Sequence, residues 1–215
     1  MNYAKSKEQK QKKRIVLLNE VNKMYQTKGF QEIKILDVAK NCGVSKGTVF
    51  NYFESKETLF LTLLIQEYGK WFDGLYQRIE NMDGSDEGTL IKVVTKYIDQ
   101  SLDSNIRLFH LVGLGHSHLE HNVSLRMAEK YRRFLNDRAS ELGFQIATKV
   151  DSISRVQGIK MLVTLHTFFV GHGQMSQLPE VMTTKLPLDE LESYEIDYRV
   201  TMLETMKMYF KGLFK

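Results

Sequence analysis

One cysteine, two prolines and fourteen glycines in 215 residues set the first limits on this chain. A single thiol, Cys42, cannot close a disulfide within the chain or build a multi-cysteine zinc or iron–sulfur cage, and a reducing, cytoplasmic setting is expected. Scarce proline and glycine favour long helices over a turn-rich sandwich or barrel. Long apolar runs are missing too. The longest, Leu59 to Ile65 and Met161 to Val170, fall well short of the roughly 20 residues that a membrane-spanning helix needs, so no membrane partner is expected. The cationic opening MNYAKSKEQKQKKR is followed by no apolar segment or small-residue cleavage site and does not read as a secretion signal. No Gly-x-Gly-x-x-Gly or Gly-Lys-Ser/Thr run occurs, which removes the common phosphate-binding and dinucleotide fingerprints.

What is present is an ordinary globular balance, 42% apolar and 26% charged residues. Its charge is unevenly spread. Residues 1 to 56 hold twelve Lys or Arg against five Asp or Glu, net +7, whereas the remainder is net −3, for a total of +4. Clustered cations of this kind suit a polyanion, although a solvated basic face reads the same way from charge alone.

The periodicity is helical throughout. Ile15, Leu18, Val21 and Tyr25 recur at three- and four-residue spacing and predict an amphipathic helix over about Lys12 to Lys28, followed by Gly29 as a C-cap. A short helix from Lys34 to Asn41 ends at Gly43, and Ser45 caps a third that runs to about Phe53. Ser55 opens a fourth with the stripe Phe60, Leu64, Tyr68, Phe72, Leu75 and Ile79. The acidic, glycine-bearing stretch Asn81 to Gly88 reads as a loop. Helices are then expected over Thr89 to Leu102, Asn105 to Leu114, Val123 to Leu142 with Gly143 as its stop, Ser152 or Ser154 to Leu178 before Pro179, and Leu188 to Leu213. The last of these carries a surplus of apolar residues, among them Met202, Met206 and Phe210, which together with Gly171 and Gly173 suggests a pairing surface for a second copy. No alternation long enough for a strand is found. The fold class is therefore all-α.

A short helix, a glycine turn and a capped helix following a first helix describe a helix-turn-helix, whose last helix enters the DNA major groove. The residues Gly29-Phe30, Val38-Ala39, Gly43-Val44-Ser45, Gly47, Phe50, Tyr52-Phe53, Lys56-Glu57 and Leu59, in register, resemble the TetR family of bacterial repressors over about residues 12 to 60. The resemblance implies a DNA-binding domain over residues 1–54 and a helical ligand-binding and dimerisation domain over 55–215. It implies a homodimeric regulator, most simply a repressor, that binds a near-palindromic double-stranded operator and is released by a small apolar or aromatic effector. No resident cofactor or metal and no catalytic residue are expected. Ile33-Lys34 stands where the family tends to open its second helix with hydroxyl residues.

On the DNA side, Lys46, Thr48 and Asn51 are expected to project from the third helix, with Val49 and Phe53 turned inward; Lys suits guanine edges and Asn suits adenine. Gly47 permits close approach. The family resemblance adds Tyr52 and Lys56 as phosphate clamps, with Ser45 and Phe50 beside them and Lys34 as a point charge where a hydroxyl is usual. A partly buried ring is the plain alternative for Tyr52. Cys42 reads as a small packing residue in the turn, since a redox sensor needs an exposed thiolate of low pKa.

For the effector, the surplus of rings, methionines and imidazoles in the middle helices points to Trp71, Phe72, Phe109, His110 and Met127, and further to Tyr131, Phe168, Phe169, His172 and Met175. Such residues also make plain cores. His116, His118 and His121 crowd one segment, and His118 with His121, Glu120 or an incoming histidine could ligate a metal; hydrogen-bonded histidines at the polar end of a pocket are the simpler reading. Ser117 lacks the strand-turn-helix elbow of a hydrolase nucleophile. The competing reading of the whole is a helical enzyme or metal-binding protein with an incidental basic N-terminus. A helix-turn-helix protein that works through protein partners is a third.

Overall fold

A computed structural model describes residues 2–178, 180–192, 194 and 196–213. Among these the chain is helical with no strand. Helix α1 (Asn2–Tyr25) begins ten residues ahead of the expected start at Lys12. It buries Leu17, Leu18, Val21, Met24 and Tyr25 and leaves Ile15 exposed, contrary to expectation, because Arg14 rather than Ile15 leans back on the domain. The Arg14 guanidinium lies 4.7 Å over the Phe53 ring and 3.4 Å from Thr62 Oγ1.

Helices α2 (Ile35–Asn41) and α3 (Lys46–Phe50) form the turn motif. Gly43 takes φ of 63°, a left-handed conformation that costs glycine nothing. The Val44 amide then reaches Ala39 O at 3.0 Å and the Gly43 amide reaches Lys40 O at 3.1 Å, which satisfies the last carbonyls of α2 in a Schellman closure. Ser45 Oγ accepts from Thr48 N at 3.1 Å and so starts α3. Helix α3 is shorter than its apolar pattern suggests and gives way to a turn at Asn51 and Tyr52.

Helix α4 (Lys56–Glu80), capped by Ser55, is shared between the two parts of the molecule. All six residues of its predicted stripe are buried, and so are Leu59, Leu61 and Leu63 on its other sides. Helix α5 (Glu87–Ser117) begins at Asp86, whose carboxylate accepts from Thr89 N at 3.0 Å. The two helices expected here run together, but Asn105 has non-helical φ and ψ of −155° and 61°, and its side chain accepts from Leu108 N at 3.3 Å, so it caps the second half from within. A 3₁₀ turn, Leu119–Asn122, follows.

Helix α6 (Leu125–Lys149) does not stop at Gly143. A Cβ there would lie 2.8 Å from Ile159 N, and one at Gly158 would lie 2.9 Å from Gly143 O, so this glycine pair exists to let α6 and α7 (Arg155–Met175) cross backbone to backbone. Ser154, not Ser152, caps α7, in a reciprocal box with Gln157. Pro179, the expected stop beyond α7, lies outside the described residues. Gly173 faces α5 within the same protomer, where a Cβ would meet Phe109 O at 2.8 Å, and is not available to a second copy.

Two short helices, α8 (Glu180–Lys185) and α9 (Leu188–Glu192), precede α10 (Tyr198–Leu213). The expected single last helix is divided because Asp197 accepts from Val200 N at 2.9 Å and starts α10 afresh. Met202, Met206 and Phe210 are buried within the protomer, so the apolar surplus of this helix is mostly core. Among the described residues no helix is long and apolar enough to cross a membrane.

Candidate nucleic-acid interface and effector compartment

Helix α3 and its flanks expose one continuous polar edge. Lys46, Gly47 and Asn51 are exposed, Thr48 is half-buried, and Val49 and Phe53 are sealed into the core, as the spacing predicts. A Cβ on Gly47 would meet nothing closer than Ser45 Oγ at 3.8 Å, so nothing within the protein requires glycine there. Phe50 is 42% exposed, with the Lys46 ammonium 5.7 Å from its ring centroid. Thr48 Oγ1 is tied to Ser45 Oγ at 2.9 Å, and both hydroxyls therefore sit at the amino end of α3, where free amides favour an anion.

Lys34 is exposed at the start of α2, with no side-chain cap. Its neighbour Ile33 is fully buried, so the residue that replaces the usual hydroxyl here contributes to packing. Tyr52 is half-buried against the core. Lys56 lies 4.1 Å over the Phe30 ring and 3.5 Å from Gln31 O; burial lowers its pKa, against the opposing effect of Glu57. Cys42 is half-buried, and burial and Glu20 both push its thiol pKa up, the reverse of what a reactive thiolate needs.

The head is fastened to the rest by rings that sequence pattern did not reveal. Phe60 of α4 meets Tyr25 at 5.6 Å and Phe30 at 4.9 Å, and Phe30 meets His118, the last residue before the 3₁₀ turn, at 5.5 Å. Lys56, Phe30 and His118 thus form a stack that runs from the start of α4 to the end of α5. A partner thirty or more residues away on another helix leaves no local periodic signal, which is why this contact was invisible.

The ten residues expected around an effector divide into several groups. Trp71, Phe72, Phe109 and Phe169 form one core, with Trp71 at 5.3 Å from Phe72, 5.4 Å from Phe169 and 6.0 Å from Phe109. Tyr68 and Tyr97, absent from the expected set, complete it, each 5.4 Å from Trp71. His110 and His172 instead flank Tyr198, at 5.7 and 6.1 Å. Phe168 turns to Tyr209 at 5.6 Å, and Met175 is 65% exposed at the end of α7. Met127 and Tyr131 lie on α6, buried.

Two cavities border this compartment. One, of about 280 Å³, lies beside the α5 kink and is lined by Trp71, Tyr97, Ser101, Asn105 and Leu108. The Trp71 indole donates to Ser101 Oγ there at 3.0 Å. The other, of about 680 Å³, is lined by Ile106, His110, Ser176, Leu178 and Tyr198. Burial lowers the pKa of His110 to about 4, with the Arg107 charge adding to it. His166, whose Nδ1 is 3.2 Å from Tyr68 Oη, is likewise lowered to about 4, by burial and by the neighbouring His116 and Arg132. Both rings are therefore neutral near pH 7, and each can donate one hydrogen bond and accept another.

In the histidine-rich segment, buried Glu120 is engaged by a guanidinium: Arg132 lies 2.5 Å from Oε1, with His116 at 3.2 Å and His121 at 3.9 Å. The cation this carboxylate meets is an arginine. Among the described residues no three His, Cys, Asp or Glu side chains are placed to hold a metal ion. The three histidines at 110, 166 and 172 do not converge, since His166 packs on Tyr68 at 5.9 Å and the other two on Tyr198.

Comparison with known proteins accounts for both halves. The family described as bacterial regulatory proteins, tetR family, matches residues 17–63, and the tetracyclin repressor-like C-terminal domain matches residues 65–215. An uncharacterized HTH-type transcriptional regulator, YuxN of Bacillus subtilis, is 35% identical over 63 residues, 29% of this chain and 21% of its own length. The fatty acid metabolism regulator protein of Bacillus subtilis is 21% identical over 128 residues, 60% of this chain and 65% of its own. These matches thus span between a fifth and just under two thirds of those two relatives. The fatty acid degradation regulator FadR from Bacillus halodurans shares the fold, with a TM-score of 0.57 at 14% identity over 94% of this chain and 96% of that one. So does Thermus thermophilus FadR, solved in complex with lauroyl-CoA, with a TM-score of 0.55 at 17% identity over 94% and 95%. With a matching model on the head and another on most of the helical domain, this chain is a member of the TetR family of transcriptional regulators.

Proposed function

We propose that the chain is a homodimeric repressor whose residues 1–54 read a near-palindromic operator and whose residues 55–215 bind a small apolar effector that releases it. The observation that carries the DNA half is the edge of α3: Lys46, Gly47 and Asn51 are exposed while Val49 and Phe53 are buried, on a helix whose start is fixed by the Gly43 turn and the Ser45 cap. Lys46 and Asn51 then read bases, and Tyr52, Lys56 and Lys34 hold phosphates, with Ser45, Thr48 and Phe50 lining the same edge.

The second copy docks on the outer faces of α7 and α10. Val156 and Val163 lie seven residues apart on α7, 75% and 52% exposed, and Val200 and Met208 lie eight apart on α10, 51% and 68% exposed. Both spacings keep the pair on one helix face. This is the face an isologous contact would cover, and it would also fix the separation of the two α3 helices.

For the effector, the cavities beside Trp71 and His110 support a site in the helical domain, as does the acyl-CoA bound in the Thermus relative. Opening the ring cluster along α4 would shift Lys56 at that helix's start, and the operator affinity would fall by no more than the effector's preference for one state.

The test is titration of the protein onto fragments of its own upstream DNA at several salt concentrations with competitor present. A site-specific complex of two protomers that survives competitor supports the reading; binding that disappears with competitor alongside non-specific DNA overturns it.

A further inference from the structure

A large apolar recess in the helical domain lies apart from the ring cluster. Where the first turns of α5 pass the last turns of α10, Ile91, Leu203 and Phe210 floor a groove of about 740 Å³. Four lysines rim it: Lys92 and Lys96 one turn apart on α5, Lys207 and Lys211 one turn apart on α10. Like charges four residues apart repel along a helix, and here two such pairs face one another across an apolar floor. The one acidic residue in the lining, Asp99, is already neutralised, its Oδ1 2.7 Å from Arg199 Nε. None of the four lysines is in an ion pair among the described residues.

Lysine stems do cover apolar surface while their ammonium groups stay in water, which accounts for one or two such residues on a helix. It does not account for four lining one slot whose single carboxylate, Asp99, is already paired with Arg199. A second copy of this chain is a poor occupant, since an isologous contact centred on the groove would bring the same positive rims together. The exposed apolar residues Val163, Val200 and Met208 lie outside this lining. A recess of this size falls within the ~300–1,000 Å³ of small-ligand clefts. An apolar floor with four free ammonium groups calls for an amphipathic anion, and four charges exceed what one carboxylate can use.

We propose that the groove between α5 and α10 is a binding site for an acyl thioester of a phosphorylated carrier, an acyl-CoA, with the acyl chain on Ile91, Leu203 and Phe210 and the phosphates held by Lys92, Lys96, Lys207 and Lys211. This site is separate from the cavities beside Trp71 and His110 and does not depend on their role in effector release.

Equilibrium binding of lauroyl-CoA, below the concentration at which it forms micelles, tests the site on the full-length protein. Laurate, free coenzyme A and vesicles of anionic phospholipid are run beside it. The expected result is salt-sensitive binding of lauroyl-CoA, with laurate and free coenzyme A each at least tenfold weaker. K96E/K207E should weaken lauroyl-CoA at least tenfold with an unchanged thermal transition, and the milder K96Q/K207Q should show the same ordering with a smaller loss. Unaltered lauroyl-CoA affinity in both variants overturns the proposal. Free coenzyme A binding as tightly as lauroyl-CoA overturns it too, because the apolar floor would then be idle, and so does capture of the protein by vesicles without binding of the monomeric thioester. Operator titration is read separately: a chain that fails to bind its operator but keeps lysine-dependent lauroyl-CoA binding refutes the regulatory reading and leaves the groove standing.

Discussion

Helix α3 and helix α4 follow one another across a short turn, yet they meet their surroundings in opposite ways. Of the five residues of α3 only Val49 is buried, whereas α4 buries Leu59, Leu61 and Leu63 as well as the Phe60 and Leu64 of its inward stripe. A helix held in place by its caps, with its polar face uncommitted, is free to meet an external partner. A helix enclosed on several sides can only carry displacement from one packed layer to another, because close-packed interiors transmit strain. The head therefore presents chemistry and the domain behind it presents mechanics.

The strongest test of that division lies at the outer faces of α7 and α10. Val163→Glu with Met208→Glu should give a folded monomer whose operator affinity drops about 100-fold or more, since two linked half-site contacts become one. Met206→Glu, two residues from Met208 but fully buried, should instead unfold the domain, at a cost of roughly 3 kcal/mol or more for an unpaired buried charge. Sedimentation and thermal melting of the two proteins separate an interface from a core. A dimeric Val163/Met208 variant would place the contact elsewhere.

Acid should loosen the helical domain through two of its histidines. His110 and His166 have folded pKa values of about 4, below the ordinary value near 6.5, so in the window between these values the unfolded chain binds protons that the folded one refuses. Stability is full above about pH 6.5 and falls as pH drops towards 4, by on the order of 1–3 kcal/mol for each ring. Denaturant melts at pH 7 and pH 5 measure it, and His110→Gln with His166→Gln should flatten the slope. A slope unchanged in the double variant would show that other groups carry the pH dependence.

Within the head, Lys46→Ala or Asn51→Ala should each cost roughly 1–3 kcal/mol and relax preference at particular bases. Lys56→Ala should weaken all sequences alike and reduce the salt slope by about one unit. Operator and scrambled-site titrations at several salt concentrations distinguish the two patterns. Equal losses on both sequences for all three variants would reduce the edge of α3 to a charged surface.

The two regions also differed in how far they could be read from sequence. The head was legible because its determinants are local: Gly43 must take positive φ, Ser45 must cap, and Val49 and Phe53 must alternate with exposed positions within a few residues. The six-residue stripe of α4 was legible for the same reason. The helical domain was not, because its choices are made by distant partners. Gly143 looked like a helix stop until Gly158 of α7 came against it, Met206 looked like interface until α10 turned it inward, and the aromatic residues could be listed but not divided between Trp71 and Tyr198. The lysine-rimmed groove joins residues 91–99 to residues 203–211, a separation at which no spacing rule operates.

Gly47 allows a finer comparison, because one substitution has opposite signs for fold and function. Its backbone needs no left-handed conformation, and an added Cβ would find only Ser45 Oγ, at an ordinary 3.8 Å. Alanine is the better helix former by up to about 1 kcal/mol, so Gly47→Ala should stabilise the head by about 0.5–1 kcal/mol. The same methyl stands on the exposed edge beside Lys46 and Asn51, the surface proposed to meet the operator, and should lower operator affinity by about 1 kcal/mol through lost close contact. Melting and operator titration on one preparation read both. Raised stability with weakened binding marks a glycine kept for DNA at the expense of the helix; raised stability with unchanged binding makes it an ordinary helix-start residue and moves the DNA contact towards Asn51.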